Sequence, residues 1–155
     1  MKRILHLHSA PREYHCDALV VCCFDHRFDR VTRKFLRRIH IHDPDVVVVA
    51  GGAKSLATPE HDSDRDFILA QVAKSIRLHG TNRVILMLHS DCGAYGGLKA
   101  FNGDEAQESV HHRDELRHAY RVVNAAFPAV TIEGYFVDFA GVWQLETAVL
   151  QNPNP

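Results

Sequence analysis

Short apolar runs, separated by amphipathic segments, recur along most of this chain. Residues 18–24, ALVVCCF, are almost entirely apolar and rich in residues that favour strands, which is typical of a strand buried on both faces. Residues 46–50 and 83–88 predict a second and a third buried strand in the same way. Residues 130–138 predict a fourth strand, followed by a short apolar tail that contains Trp143.

The segments between these runs carry apolar residues at helical spacing. Asp29 is the predicted N-cap of a helix that runs to about residue 39, and residues 63–78 predict a second helix that stops at Gly80. A third helix is predicted over about residues 105–127. Strands that alternate with helices predict an α/β fold with a mostly parallel central sheet of four to five strands flanked by helices.

Length and charge limit the kinds of partner. The chain has 155 residues, of which 46% are hydrophobic and 24% charged, so we expect one α/β domain over residues 1–155. Within it, residues 1–17 are expected to form an N-terminal arm or short helix, and residues 151–155 a frayed tail. Eighteen basic and 19 acidic residues give a net charge of -1, which predicts no nucleic-acid and no membrane partner.

The cysteine count bears on the compartment. Four cysteines, without an apolar segment long enough for a signal peptide core or a membrane span, fit a reducing environment better than a disulfide framework. The sequence therefore predicts a cytoplasmic protein.

Metal-binding residue types follow the first and the third predicted strand. Cys23 ends the first strand, and His89 and Cys92 follow the third. If the first strand lies between the second and the third, these side chains meet at the carboxyl edge of the sheet, where α/β proteins bind ligands. Two thiols and one imidazole suit a tetrahedral zinc ion with one open position, which is the arrangement of a catalytic rather than a structural zinc site.

Asp25 and Arg27 lie beside the candidate ligand Cys23. Their spacing allows the guanidinium to hold the carboxylate through two hydrogen bonds. Asp25 then either accepts a hydrogen bond from a zinc-bound hydroxide or itself occupies the fourth position, and the sequence does not choose between these states. The residues alone also permit a simpler interpretation, in which Cys22 and Cys23 are core residues and Asp25 and Arg27 form a surface pair.

These two motifs resemble the signature of a known family. C-x-D-x-R after the first strand and H-x-x-C-G after the third are similar to the paired motifs of β-class carbonic anhydrases. The resemblance also includes AGGA at residues 50–53 and GYFVDFAG at residues 134–141, and it extends over roughly residues 18–146.

The resemblance implies a function and a set of roles. Cys23, His89 and Cys92 would hold one Zn²⁺ per chain, and Asp25 with Arg27 would form the catalytic pair beside its fourth position. The implied activity is that of a lyase, the reversible hydration of carbon dioxide to bicarbonate by zinc-bound hydroxide. His26 is a candidate proton shuttle. The substrate would be a small molecule, and the chain would form a homodimer or a higher homo-oligomer.

One departure from the family keeps alternatives open. The family usually carries an Arg-Asn pair before its Ala-Gly, and Val48-Val49 stand there in this chain. A related small electrophile, carbonyl sulfide or carbon disulfide, is therefore an alternative substrate. A non-catalytic zinc-binding module of the same fold is a further alternative.

Overall fold

Strands and helices alternate through the protein in a computed structural model that describes residues 1–8, 13–146 and 150–151. The strands are β1 (Leu19–Cys23), β2 (Asp45–Val49), β3 (Arg83–His89), β4 (Thr131–Val137) and β5 (Val142–Leu145). The helices are α1 (His26–Arg38), α2 (Lys54–Ala57), α3 (Asp62–His79) and α4 (Glu105–Ala126), with short 3-10 turns at Gly93–Tyr95 and Leu98–Phe101.

The strands form one sheet in the order β2-β1-β3-β4-β5. β1 pairs in parallel with both β2 and β3, β3 pairs in parallel with β4, and β5 is antiparallel to β4. The α/β fold with a mostly parallel sheet is therefore confirmed, and β1 does lie between β2 and β3. As a result, the carboxyl ends of β1 and β3 are neighbours.

The central strands are apolar because the sheet is covered on both faces. Leu19 and Val21 of β1 face a large core with α2, α3 and α4, whereas Val20 faces a smaller core with α1. Leu86 and Met87 of β3 divide between the two cores in the same way. This two-sided burial explains why the sequence of these strands shows no alternation of polar and apolar residues.

The prediction that the second strand is buried is wrong for one of its faces. β2 lies at the edge of the sheet, with Val47 and Val49 packed against the larger core and with Val46 and Val48 48% and 51% exposed. The sequence could not show this difference, because a run of valines is compatible with a strand that is buried on one face or on both.

The predicted start of the first helix is also wrong, by one turn. Asp25 is the N-cap of α1, and its side chain accepts a hydrogen bond from the backbone N–H of Arg27. Asp29 lies in the first turn instead, where its Oδ1 accepts from Nε of Arg33 at 3.0 Å. The helix therefore begins soon after β1 ends.

The two ends of the chain are described only in part. Residues 1–8 of the predicted arm are exposed and lie in neither a helix nor a strand, whereas residues 9–12, and 152–155 of the predicted tail, lie outside the described residues. Among the residues described, no helix combines the length and the apolar character needed to cross a bilayer.

The turn after β2 passes close to the ends of β1 and β3. Gly52 has a φ of 57°, and a Cβ at this position would lie 2.6 Å from the Met87 carbonyl oxygen and 2.9 Å from the Cys23 nitrogen. Only glycine fits this left-handed backbone at such a close approach. The turn also brings the backbone N–H of Gly51 to 3.3 Å from Sγ of Cys23.

We expect Gly52→Ala to destabilise the protein more than a matched change elsewhere. Gly103 has a similar φ of 76°, but a Cβ added there would have nothing within 4 Å, so Gly103→Ala isolates the cost of the left-handed backbone. Gly103→Ala should lower the free energy of unfolding by about 1 kcal/mol. Gly52→Ala should lower it by about 3 kcal/mol, because two backbone segments must also move. Denaturant titration measures both values, and equal values would show that the close approach at Gly52 carries no cost.

Candidate metal centre

Cys23 brings the first of three clustered side chains to the carboxyl edge of the sheet. It is the last residue of β1 and is half-buried. Its sulfur accepts the backbone N–H of Gly51 at 3.3 Å, which favours the thiolate form. The preceding Cys22 packs with the smaller core on the α1 side, and burial raises its thiol pKa to about 11.

His89 is the last residue of β3 and is only 4% exposed. Its Nδ1 lies 2.8 Å from the Ser90 carbonyl oxygen, and since a carbonyl can only accept, Nδ1 carries the proton and donates it. In the neutral ring, Nε2 is then left with a free electron pair, and this buried atom has no hydrogen-bond partner among the described residues. A buried imidazole held in this way is oriented as metal-binding histidines are.

Cys92 completes the cluster from the loop after β3. It is 2% exposed, and its carbonyl oxygen accepts the N–H groups of Tyr95 and Gly97 at 3.0 and 2.9 Å, so the loop curls around it. The ligand atoms of Cys23, His89 and Cys92 all lie within 4.8 Å of one another. Ligand atoms around a tetrahedral zinc are roughly 3.5–4 Å apart, so only a small adjustment separates these side chains from zinc geometry.

The three groups also shift one another's protonation. A hydrogen bond from Cys92 lowers the pKa of Cys23, and the same interaction raises the pKa of Cys92. Burial of the His89 ring opposes its charge, but the Cys23 thiolate and the Ser90 carbonyl outweigh that effect and raise its pKa. The pair of sulfurs therefore shares one proton, which a metal ion bound to both sulfurs must displace.

Asp25 and Arg27 form the ion pair that their spacing predicts. Nε and Nη2 of Arg27 donate to Oδ2 of Asp25 at 3.0 and 2.6 Å, and Nε also reaches Oδ1 at 3.0 Å. These bonds from Arg27 lower the pKa of Asp25 to about 2, so the carboxylate is charged at any ordinary pH. Oδ2 also lies 4.0 Å from Nε2 of His89, which places the carboxylate at the border of the cluster.

Asp91 is a polar residue at the site that the sequence reasoning missed. Its Oδ2 accepts from Nη1 of Arg27 at 2.8 Å, and its carbonyl oxygen accepts from Nη2 at 3.0 Å. Arg27 thus lies between two aspartates, and Asp91 has a lowered pKa because of Arg27. The motif H-x-x-C leaves the residue at this position unspecified. The only sign in the sequence that Asp91 belongs to the site was its location between the candidate ligands His89 and Cys92.

Glu108 and His112 form a second missed feature, behind the site on α4. Glu108 is 1% exposed, and its Oε1 accepts the backbone N–H of Asp91 at 2.7 Å. Burial raises the pKa of Glu108 and lowers that of His112 to about 3, so His112 is neutral. Its Nε2 lies 3.7 Å from Oε1 of Glu108, which is too far for a direct hydrogen bond.

The remaining histidines do not join a metal cluster within the described ranges, where Cys23, His89 and Cys92 are the one group of three candidate ligands. Of the neighbouring His111 and His112, only His112 is buried, whereas His111 is exposed. His26, the candidate shuttle, is exposed at the start of α1, and it lines a groove of about 550 Å³ together with Cys23 and Asp25. Its role as a shuttle stays a prediction.

The aromatic residues around the cluster differ in their surroundings. Phe28 is 6% exposed, and its ring centre lies 4.6 Å from that of His89, so it belongs to the core that supports the imidazole. Phe24 is 66% exposed at the groove. Tyr95 is half-buried, and its hydroxyl donates to Oε2 of Glu115 at 2.9 Å.

These features describe an α/β protein with a candidate metal centre at the carboxyl edge of its parallel strands. The sequence pattern of the family described as "Putative carbonic anhydrase" matches residues 14–149. The chain belongs to this family.

Individual proteins resemble the chain more distantly. An uncharacterized protein of Rickettsia bellii is 24% identical over 127 residues, which span 80% of this chain and 77% of that protein. The carbonic anhydrase from Glaciozyma antarctica has a similar fold, with a TM-score of 0.58 and 19% identity over 88% of this chain and 86% of that one. The β-carbonic anhydrase isoform I from Trichomonas vaginalis also has a TM-score of 0.58, with 17% identity over 90% and 87% of the two chains.

Cysteine substitutions test the cluster as a metal site. We expect the purified protein to bind about one zinc or cobalt ion per chain and Cys92→Ser to abolish this binding, since two remaining ligands hold the ion poorly. Cys22→Ser is the matched control, because Cys22 is the neighbour of Cys23 in the sequence but packs against the smaller core on the α1 side and is not a candidate ligand. Metal content after desalting and the cobalt–thiolate absorption measure the effect. Full stoichiometry in Cys92→Ser, or its loss in Cys22→Ser, would contradict the assignment.

The pH dependence of metal affinity is a second test. Cys92 has a raised pKa and releases a proton when it binds a metal, so the apparent affinity should rise by about 10-fold per pH unit. Below the raised pKa of His89 a second proton must leave, and the rise should approach about 100-fold per unit. Calorimetry in buffers of different ionisation enthalpy counts the protons released, and an affinity that does not change with pH would disprove this coupling.

Proposed function

We propose that this protein catalyses the reversible hydration of carbon dioxide to bicarbonate, with one zinc ion held by Cys23, His89 and Cys92. The observation that carries this proposal is the convergence of the three candidate ligands beside the Asp25–Arg27 pair at the ends of β1 and β3. Membership of the carbonic anhydrase family supports the same reaction.

The donor set fits zinc. Two sulfurs and one nitrogen leave one position of a tetrahedral ion free, as in catalytic sites. Zinc bound there would supply an acidified water, with a pKa near roughly 7, as the nucleophile for hydration. The Ser90 carbonyl keeps Nε2 of His89 directed at the sulfurs, and Gly51 holds Cys23 in place.

Asp25 acts as a hydrogen-bond acceptor in this proposal. Its pKa of about 2 excludes it as a proton donor at neutral pH, so it can orient a group next to the cluster only by accepting a hydrogen bond. Arg27 holds both carboxylate oxygens and thereby fixes the direction of the remaining lone pairs. His26 is exposed in the same groove, and we assign it the transfer of the product proton to solvent.

The proposed homodimer has a physical basis in β2. This strand lies at the edge of the sheet with Val46 and Val48 exposed, and the same two residues line the groove that contains Cys23. An unpaired strand edge with exposed apolar side chains offers both hydrogen-bonding groups and apolar surface to a partner. A second copy placed there would also narrow the groove.

Stopped-flow hydration assays test the activity. Zinc-loaded wild type should hydrate carbon dioxide at pH 7 and faster at pH 9, and Asp25→Asn should lower the rate by about 10- to 100-fold, because the hydrogen-bond acceptor loses its charge. Asp29→Asn is the matched control: Asp29 lines the same groove but pairs with Arg33 and not with Arg27, so this variant should retain the rate.

Three outcomes separate the alternatives. Zinc-loaded protein that is inactive on carbon dioxide at both pH values but active on carbonyl sulfide or carbon disulfide would replace the substrate. Inactivity on all three compounds, with zinc bound, would favour the non-catalytic module. Equal rates for Asp25→Asn and wild type would remove Asp25 from the mechanism.

A further inference from the structure

Arg27 contacts two different aspartates at once. On one side Nε and Nη2 hold the carboxylate of Asp25, and on the other side Nη1 and Nη2 donate to the side chain and the carbonyl oxygen of Asp91 at 2.8 and 3.0 Å. Asp91 lies one residue before Cys92, and Asp25 lies two residues after Cys23. The guanidinium therefore connects the end of β1, which carries Cys23, to the loop after β3, which carries Cys92.

Asp91 is itself fixed by the protein and not by Arg27 alone. Its Oδ1 accepts the backbone N–H of Leu98 at 2.9 Å, and its own backbone N–H donates to the buried Glu108 at 2.7 Å. Its φ is 51°, and a Cβ on Gly97 would come to 2.9 Å from Oδ1, so the loop closes tightly around the carboxylate.

This fixation matters because Arg27 and Asp91 are both partly exposed, with side chains 44% and 43% accessible. An exposed ion pair between two mobile side chains orders them weakly. Asp91 has already lost its freedom to the Leu98 and Glu108 contacts, so its two bonds to Arg27 constrain the guanidinium at little further entropic cost.

The position of Arg27 in turn decides what Asp25 can do. Oδ2 of Asp25 is 4.0 Å from Nε2 of His89, so a small rotation would bring the carboxylate onto a metal ion held by the three ligands. Three side-chain hydrogen bonds to Arg27 oppose that rotation only while Arg27 stays in place. Asp91 thus acts on the orientation of Asp25 indirectly, through Arg27.

We propose that Asp91 is a positioning residue: by holding Arg27, it keeps Asp25 away from the metal and keeps the fourth coordination position open to small ligands. The inference rests on the proposed function for the presence of the metal. It concerns whether the fourth coordination position is open or is occupied by the Asp25 carboxylate. This choice can be tested without measuring hydration.

Thiocyanate binding to the cobalt(II)-loaded full chain tests this inference without an activity assay. Thiocyanate should shift the visible cobalt bands of wild type by entering the fourth position. Asp91→Asn keeps the size of the side chain but removes its charge, and we expect the thiocyanate affinity to fall by about 10- to 100-fold as Asp25 competes for the metal. Asp29→Asn should leave the affinity unchanged, because Asp29 pairs with Arg33 and not with Arg27.

Two further variants separate positioning from a general loss of structure. Asp25→Asn should bind thiocyanate at least as tightly as wild type, and adding Asp91→Asn to it should change the affinity by less than about 3-fold, since the competing carboxylate is gone. Arg27→Lys is an exposed change that should fold normally. It should weaken thiocyanate binding as Asp91→Asn does, and combining the two should add little.

The outcomes keep the two proposals apart. Unchanged thiocyanate affinity in Asp91→Asn, or an equal loss in the Asp25→Asn background, would overturn the positioning role. Wild type that binds cobalt and thiocyanate but hydrates no carbon dioxide would overturn the proposed function and leave the Asp91 test intact. Wild type that binds no cobalt would overturn both.

Discussion

The parallel pairing of β1 with β3 is the constraint on which the site depends. It places the ends of two strands that are distant in sequence side by side, so that Cys23 meets His89 and Cys92. The pairing holds because residues such as Val20 and Leu86 are fully buried in cores on opposite faces of the sheet. Burial of a side chain of this size contributes roughly 1.5–3 kcal/mol, so the geometry of the site is supported by a rigid scaffold.

Asp25 shows how closely the fold and the site are connected. Its Oδ1 caps α1 by accepting the Arg27 N–H at 3.0 Å, and the same carboxylate is held by the Arg27 side chain. An N-cap is typically worth about 1 kcal/mol, so movement of the carboxylate toward the cluster would also weaken the start of the helix. The helix cap and the guanidinium therefore both favour the observed orientation of Asp25.

Sequence reasoning found the parts of this arrangement that depend on local pattern. Strand ends and residue types were enough to bring Cys23, His89 and Cys92 to one edge of the sheet and to pair Asp25 with Arg27. The local pattern did not reveal that β2 is an edge strand with one exposed face, because a run of valines is compatible with a covered or an uncovered outer face. Nor did it find Asp91, since the contact with Arg27 spans 64 positions and depends on the path of the loop.

Glu108 was missed for a different physical reason. A glutamate on an amphipathic helix is normally solvated, and nothing in the helical pattern marks this one as 1% exposed. Its burial becomes understandable only through the loop it contacts, because the partly buried Asp91 N–H would otherwise lack this partner. The carboxylate on α4 therefore belongs to the same hydrogen-bonded chain as Asp91, Arg27 and Asp25. This chain of hydrogen bonds connects α4, which packs against β3 and β4, to the Asp25 carboxylate at the border of the candidate metal centre.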